Sequence, residues 1–162
     1  DPTRNYYKVA VEYLEKYLEF VPTDPGALLR LGNTYLFNLN DCVKGVAAFE
    51  KLLVVEPGNC LAKRSLGYAY FGENLCSKSY SKALNYFRDA YDCVAKQGAC
   101  KDETLVLWIA QCYHLLAAAN TGDKTAGKAD YKAANEWYNK LLKCDPNSKE
   151  AREGIENTRF EF

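Results

Sequence analysis

The sequence predicts an all-α chain built from antiparallel helix pairs, and three observations carry that prediction. First, "RLGNTYLF" at 30–37 returns as "SLGYAYFG" at 65–72 and more faintly as "WIAQCYHL" at 108–115. Second, prolines close three apolar helical stretches: Pro22 after "LEKYLEFV", Pro57 after "FEKLLVVE" and Pro146 after "YNKLLKCD". Proline lacks the amide donor and disfavours helix in the residue before it. Third, small and large residues keep fixed offsets from those stops. Twelve residues back stand Ala10, Gly45 and Ala134, eight back stand Leu14, Phe49 and Tyr138, and ten forward of Pro22 and Pro57 stand Gly32 and Gly67. Such offsets place the residues on one helical face.

Taken in order, residues 1–22 read as a second helix alone, with Ala10, Leu14 and Tyr17 before Pro22. Its first-helix partner is expected upstream of Asp1, in a longer array from which this chain is cut. Residues 25–57 form a full unit, with Leu28, Leu31, Gly32 and Tyr35 on the first helix and Gly45, Phe49 and Leu52 on the second. Residues 60–95 repeat it with Leu66, Gly67 and Tyr70, then Ala83, Phe87 and Ala90, while Ala95 replaces the closing proline and "GENLCSKSYS" is inserted between helices. Residues 103–146 carry Val106, Ile109, Ala110 and Tyr113, then Ala134, Tyr138 and Leu141. The inserted "AAANTGDKTAGKAD" contains Gly122 and Gly127, which predict a true loop between these helices rather than a helical extension. The stop-to-stop intervals are 35, 38 and 51 residues. Residues 148–162 are expected to form a polar, solvating end helix, started by a capping arrangement from Asn147 to Glu150.

The pattern resembles the tetratricopeptide repeat (TPR), a helix-turn-helix unit of roughly 34 residues, over about residues 6 to 157. The resemblance implies one domain over 1–162, a right-handed superhelix of stacked helix pairs (an α-solenoid), and first helices that line its concave side. It implies a non-catalytic scaffold that needs no cofactor and binds an extended peptide or a partner helix in that groove. On the first helices the groove residues are Arg30, Asn33, Phe37, Arg64, Tyr68, Phe71, Trp108 and Gln111. Aromatic rings beside Arg, Asn and Gln combine buried area with hydrogen-bonding tips. The carboxylate clamp of chaperone-binding members is matched at Asn33 alone, because Leu29, Ser65, Thr104 and Trp108 occupy its other positions. A different reading makes the chain a structural segment of a larger assembly, self-associating or stacking through the open first helix. That reading requires an exposed apolar face at Tyr6, Val9, Tyr13 and Tyr17.

Composition narrows the function classes. At 162 residues the chain suits one globular body, with 48% hydrophobic and 14% aromatic residues. Lys+Arg and Asp+Glu both number 21, so no net field recruits nucleic acid. The apolar run "LVLWIA" falls far short of the roughly 20 residues that cross a bilayer, so no membrane insertion is expected. Seven cysteines without a C-x-x-C spacing exclude a zinc motif and predict buried free thiols in a reducing, cytoplasmic setting. Should oxidation occur, Cys93 and Cys100 are the first pair to suspect. The start at Asp1 admits the alternative of an exported chain that has lost its leader. His114 is the single histidine and lies two residues from Cys112, around the helix from it, which suits no Cys–His catalytic pair. Nucleotide-cradling glycine motifs are missing from the sequence.

Overall fold

Eight α-helices follow one another in the computed structural model, which describes residues 2–72, 76–96, 98, 100–120, 122 and 124–159. They are α1 (Pro2–Phe20), α2 (Pro25–Asn33), α3 (Cys42–Val55), α4 (Cys60–Phe71), α5 (Tyr80–Ala95), α6 (Glu103–Ala119), α7 (Lys124–Cys144) and α8 (Lys149–Thr158). A π-helical turn at Thr34–Asn38 continues α2, and no strand occurs among the described residues. The helices fall into two compact units, Asp1–Lys78 and Ser79–Phe162.

In the first unit, α2 starts where Asp24 accepts a hydrogen bond from the Ala27 amide at 2.7 Å, with Pro25 in the first turn. That side chain satisfies one of the amides a helix start leaves open. Asn59 caps α4 in the same way through the Ala62 amide at 2.9 Å. Leu28, Leu31, Tyr35 and Leu36 are buried together with Ala48, Phe49 and Leu52 of α3, which packs on α2 and its π-helical turn, and with Ala62, Leu66 and Ala69 of α4, which packs on α3. The small-residue positions exist for close approach: a Cβ on Gly32 would stand 2.7 Å from the Phe49 ring, and one on Gly45 would stand 2.9 Å from Leu36 Cβ. The π-helical turn has a countable cause. The interval from Pro22 to Pro57 is 35 residues, about one more than the repeat period, and a turn closed five residues apart absorbs one residue. The Leu39 amide accordingly donates to the Thr34 carbonyl at 3.0 Å, and Asn40 takes a left-handed φ of 56° to leave the turn.

The second unit holds Ala83, Leu84, Phe87, Ala90 and Tyr91 of α5 against Leu105, Val106, Ile109 and Ala110 of α6, with Ala134, Tyr138 and Leu141 of α7 behind them. Here the predicted loop is corrected: α6 runs on to Ala119 and α7 begins at Lys124, so most of the insertion lengthens the two helices. Gly127 lies inside α7 and is buried, and a Cβ there would meet the Asn120 and Ala117 carbonyls only at ordinary contact distances of 3.5 and 3.7 Å. A glycine in a helix costs about 1 kcal/mol against alanine, which the pairing of two long helices outweighs. The insertion after α4 is described only in part, since residues 73–75 lie outside the described residues. The cap of α8 is also corrected, from Asn147 to Ser148, whose hydroxyl accepts from the Ala151 amide at 3.3 Å. The helix is polar on one side only: Ala151, Gly154 and Thr158 are buried, and a side chain at Gly154 would overlap the Tyr138 ring.

The cysteines overturn the free-thiol expectation. Cys42 bonds Cys76 and Cys100 bonds Cys144, each pair with Cα atoms 5.3 Å apart. Cys60 and Cys93 are also in the disulfide state, and Cys112 is the free, buried thiol. Cys93 and Cys100 are therefore not a pair. Their sequence proximity misled because closure depends on which helix ends meet. Each described bond clips the open end of a helical hairpin, joining the start of α3 to the segment after α4 and the segment before α6 to the end of α7. Disulfides persist in oxidising compartments. The premise of the cytoplasmic expectation is thereby removed.

Candidate functional site

Two rows of outward residues on α2 and α4 form the candidate surface of the first unit. Asn33 ends α2 and Ser65 sits on α4, and their side chains meet at 3.5 Å, with the Ser65 hydroxyl donating to Asn33 Oδ1. Further along, the Phe37 and Tyr68 rings lie 5.5 Å apart, tilted at 53°. The π-helical turn carries Phe37, so the extra residue in the repeat positions that ring. Phe37 is 42% exposed, while Tyr68 and Phe71 are half-buried. Arg30 is exposed and Arg64 half-buried. Asn33, Phe37 and Tyr68 are thus joined through direct neighbours, an arrangement of an aromatic pair beside an amide and a hydroxyl that can both cover apolar surface and hydrogen-bond a backbone.

Around the corner from Arg30 is a cleft that sequence reasoning missed. Leu14 and Tyr17 of α1, Asp24, and Gly26, Ala27 and Arg30 of α2 enclose about 370 Å3. Asp24 receives the Tyr17 hydroxyl at 3.0 Å besides the Ala27 amide. The Ala27 amide, then the Tyr17 hydroxyl, hold its carboxyl below the usual carboxylate range, and the same bond raises the Tyr17 phenol. The signal lay in the seven-residue reach from Tyr17 to Asp24 across Pro22, but only folding shows which side of α1 faces α2.

In the second unit the Trp108 ring stacks on the buried Phe87 at 5.2 Å and 28°, and both Trp108 and Gln111 are half-buried. Deeper in, Tyr138 reaches His114 Nδ1 at 3.5 Å. Burial pushes the Cys112 thiol up to about 12 and the Tyr138 phenol up to about 12. A thiol so held is neutral and is no nucleophile near neutrality. Among the described residues no group of His, Cys, Asp and Glu side chains gathers as a metal site would require. No helix among them is long and apolar enough to cross a membrane.

Helix pairs with small-to-large packing at the repeat offsets define a TPR-like helical-repeat fold. Consistent with this, the chain is similar to a crystal structure of the C-terminal part of a TPR repeat-containing protein from Cytophaga hutchinsonii, with a TM-score of 0.65 at 23% identity over 92% of this chain. The chain spans 54% of that structure's length. No protein-family model matches the chain, and no curated protein matches it.

Proposed function

We propose that this chain is a non-catalytic interaction scaffold that takes an extended peptide or a partner helix on the outward faces of its first-type helices. The observation that supports it most directly is the paired row Asn33–Ser65 and Phe37–Tyr68, because solvated faces of a monomer have little use for two adjoining rings. Arg30, Arg64 and Phe71 extend the proposed contact in the first unit, and in the second unit Trp108 and Gln111 are proposed as a contact of the same kind. No cofactor takes part. The disulfides favour the exported alternative, so the partner is sought among proteins of an oxidising compartment.

The test is capture from source extract under non-reducing conditions, with wild type beside Phe37→Ala/Tyr68→Ala and, separately, Trp108→Ala. Each variant is first matched to wild type by circular dichroism. Loss of a protein with the first variant supports the row on α2 and α4. Undiminished capture by both variants would remove these faces from the proposal.

A second reading, assembly through the open first helix, draws on a specific observation. Tyr6 is 71% and Tyr13 70% exposed on α1, in a helix whose opposite side is packed.

A further inference from the structure

We infer that the Cys42–Cys76 bond is a redox latch for the α2 and α4 surface, pairing the Phe37 and Tyr68 rings in the oxidised chain and releasing them on reduction. The inference rests on the scaffold reading of that surface and names its regulation. The sequence places bond and rings in step. Phe37 precedes Cys42 by five residues, Phe71 precedes Cys76 by five, and both like pairs stand 34 residues apart, one repeat period. Bond and rings therefore belong to the same end of the two first-type helices.

Both rings are referred to the start of α3. On one side, Leu36, next to Phe37, is fully buried over Gly45, where an added Cβ would stand 2.9 Å from Leu36 Cβ. That contact seats the π-helical turn on the first turn of α3. On the other side, Tyr68 lies in the last turn of α4, which the Gly72 amide closes by donating to the Tyr68 carbonyl at 2.9 Å. Helix ends fray unless they are tied. The tie here is Cys76, bonded to Cys42 with Cα atoms 5.3 Å apart. Burial does not replace it, because Phe37 is exposed and Tyr68 half-buried, so their 5.5 Å separation depends on the two helix ends keeping their places.

Chemistry can reach the bond. Cys42 and Cys76 are half-buried rather than sealed in the core. A dithiol reductant passes two electrons and two protons to the bond, the S–S link breaks to two thiols, and the reductant closes to its own disulfide. A thiol–disulfide oxidant runs the same step backwards. The surface is thus completed only where disulfides form, and a chain still in a reducing compartment carries uncoupled rings.

Nuclear Overhauser effects in the full chain test the latch. Oxidised wild type should show one between the Phe37 and Tyr68 rings and another between the Leu36 side chain and Gly45. In Cys42→Ser/Cys76→Ser the ring effect should fall to about half or less, because a frayed end turn is open about half of the time, while the Leu36–Gly45 effect persists. A ring effect kept at full intensity overturns the latch. Loss of both effects also overturns it, since the bond then staples the whole unit rather than the rings. Should circular dichroism show the variant unfolded, the same two effects are read in wild type reduced by dithiothreitol, with the opened bond located by alkylation, and are judged in the same way. No partner enters this measurement, so failure of the latch is distinguishable from failure of the scaffold reading, which capture decides.

Discussion

Cutting the clip across the α6–α7 hairpin, by Cys100→Ser with Cys144→Ser, tests the oxidised state on which the compartment argument depends. Cys100 precedes α6 and Cys144 ends α7, and their Cα atoms lie 5.3 Å apart across a sequence separation of 44. Closing a loop of about 45 residues removes about 13 cal/mol/K from the unfolded chain in the loop-entropy account, so opening it should cost about 4 kcal/mol at 25 °C. In a chain of this size each kcal/mol moves Tm by roughly 2–4 °C, which gives a fall of about 8–16 °C. Scanning calorimetry of wild type and double variant without reductant measures it. A fall below about 2 °C would refute the reasoning, because no loop of that length is then being closed. So would alkylation of Cys100 and Cys144 in unfolded, unreduced wild type.

Two further outcomes follow from burial and close packing. Burial raises the Cys112 thiol from 9.0 to about 12 and, with a contribution from Cys112, the Tyr138 phenol from 10.0 to about 12. Both groups lose their protons more readily in the unfolded chain, so the stability they contribute is full below the unfolded values and is lost as pH rises from about 9 towards about 12. Denaturant titrations at about pH 8 and about pH 10.5 should show that fall, lessened in Cys112→Ala. Gly154→Ala drives a methyl into the Tyr138 ring and should destabilise by about 1–3 kcal/mol, read from denaturant midpoints. Gly58→Ala, where an added Cβ meets nothing within 4 Å, is the control and should stay within about 0.5 kcal/mol of wild type.

Much of the fold was legible because packing repeats. Leu28, Leu31, Gly32, Phe49, Leu52, Leu66, Phe87, Ile109, Ala134 and Tyr138 were chosen by offset alone, and all are buried. The offset works because a helix converts sequence spacing into a face, and Gly32 beneath Phe49 leaves that face one geometry. The inserted segment before α7 misled for the opposite reason. Gly122 and Gly127 carry the same local propensity, yet Gly127 is helical within α7, which packs along α6, whereas Gly122 lies between the two helices. Of the candidate surface, residue types and helix positions were readable, but the contacts Asn33–Ser65 and Phe37–Tyr68 join residues about a repeat apart and depend on how α2 and α4 lie side by side.

The sequence by itself determined the helix pairs, their stops and the small residues at their crossings, since these follow from local periodicity and proline chemistry. Tertiary structure alone decided which cysteines meet, which ring stacks on which, and that Tyr6, Tyr13 and Phe20 of α1 face outward. Helical periodicity fixes angles around an axis, whereas disulfides, clefts and exposed faces depend on distances between axes. Those distances are set only when the helices pack.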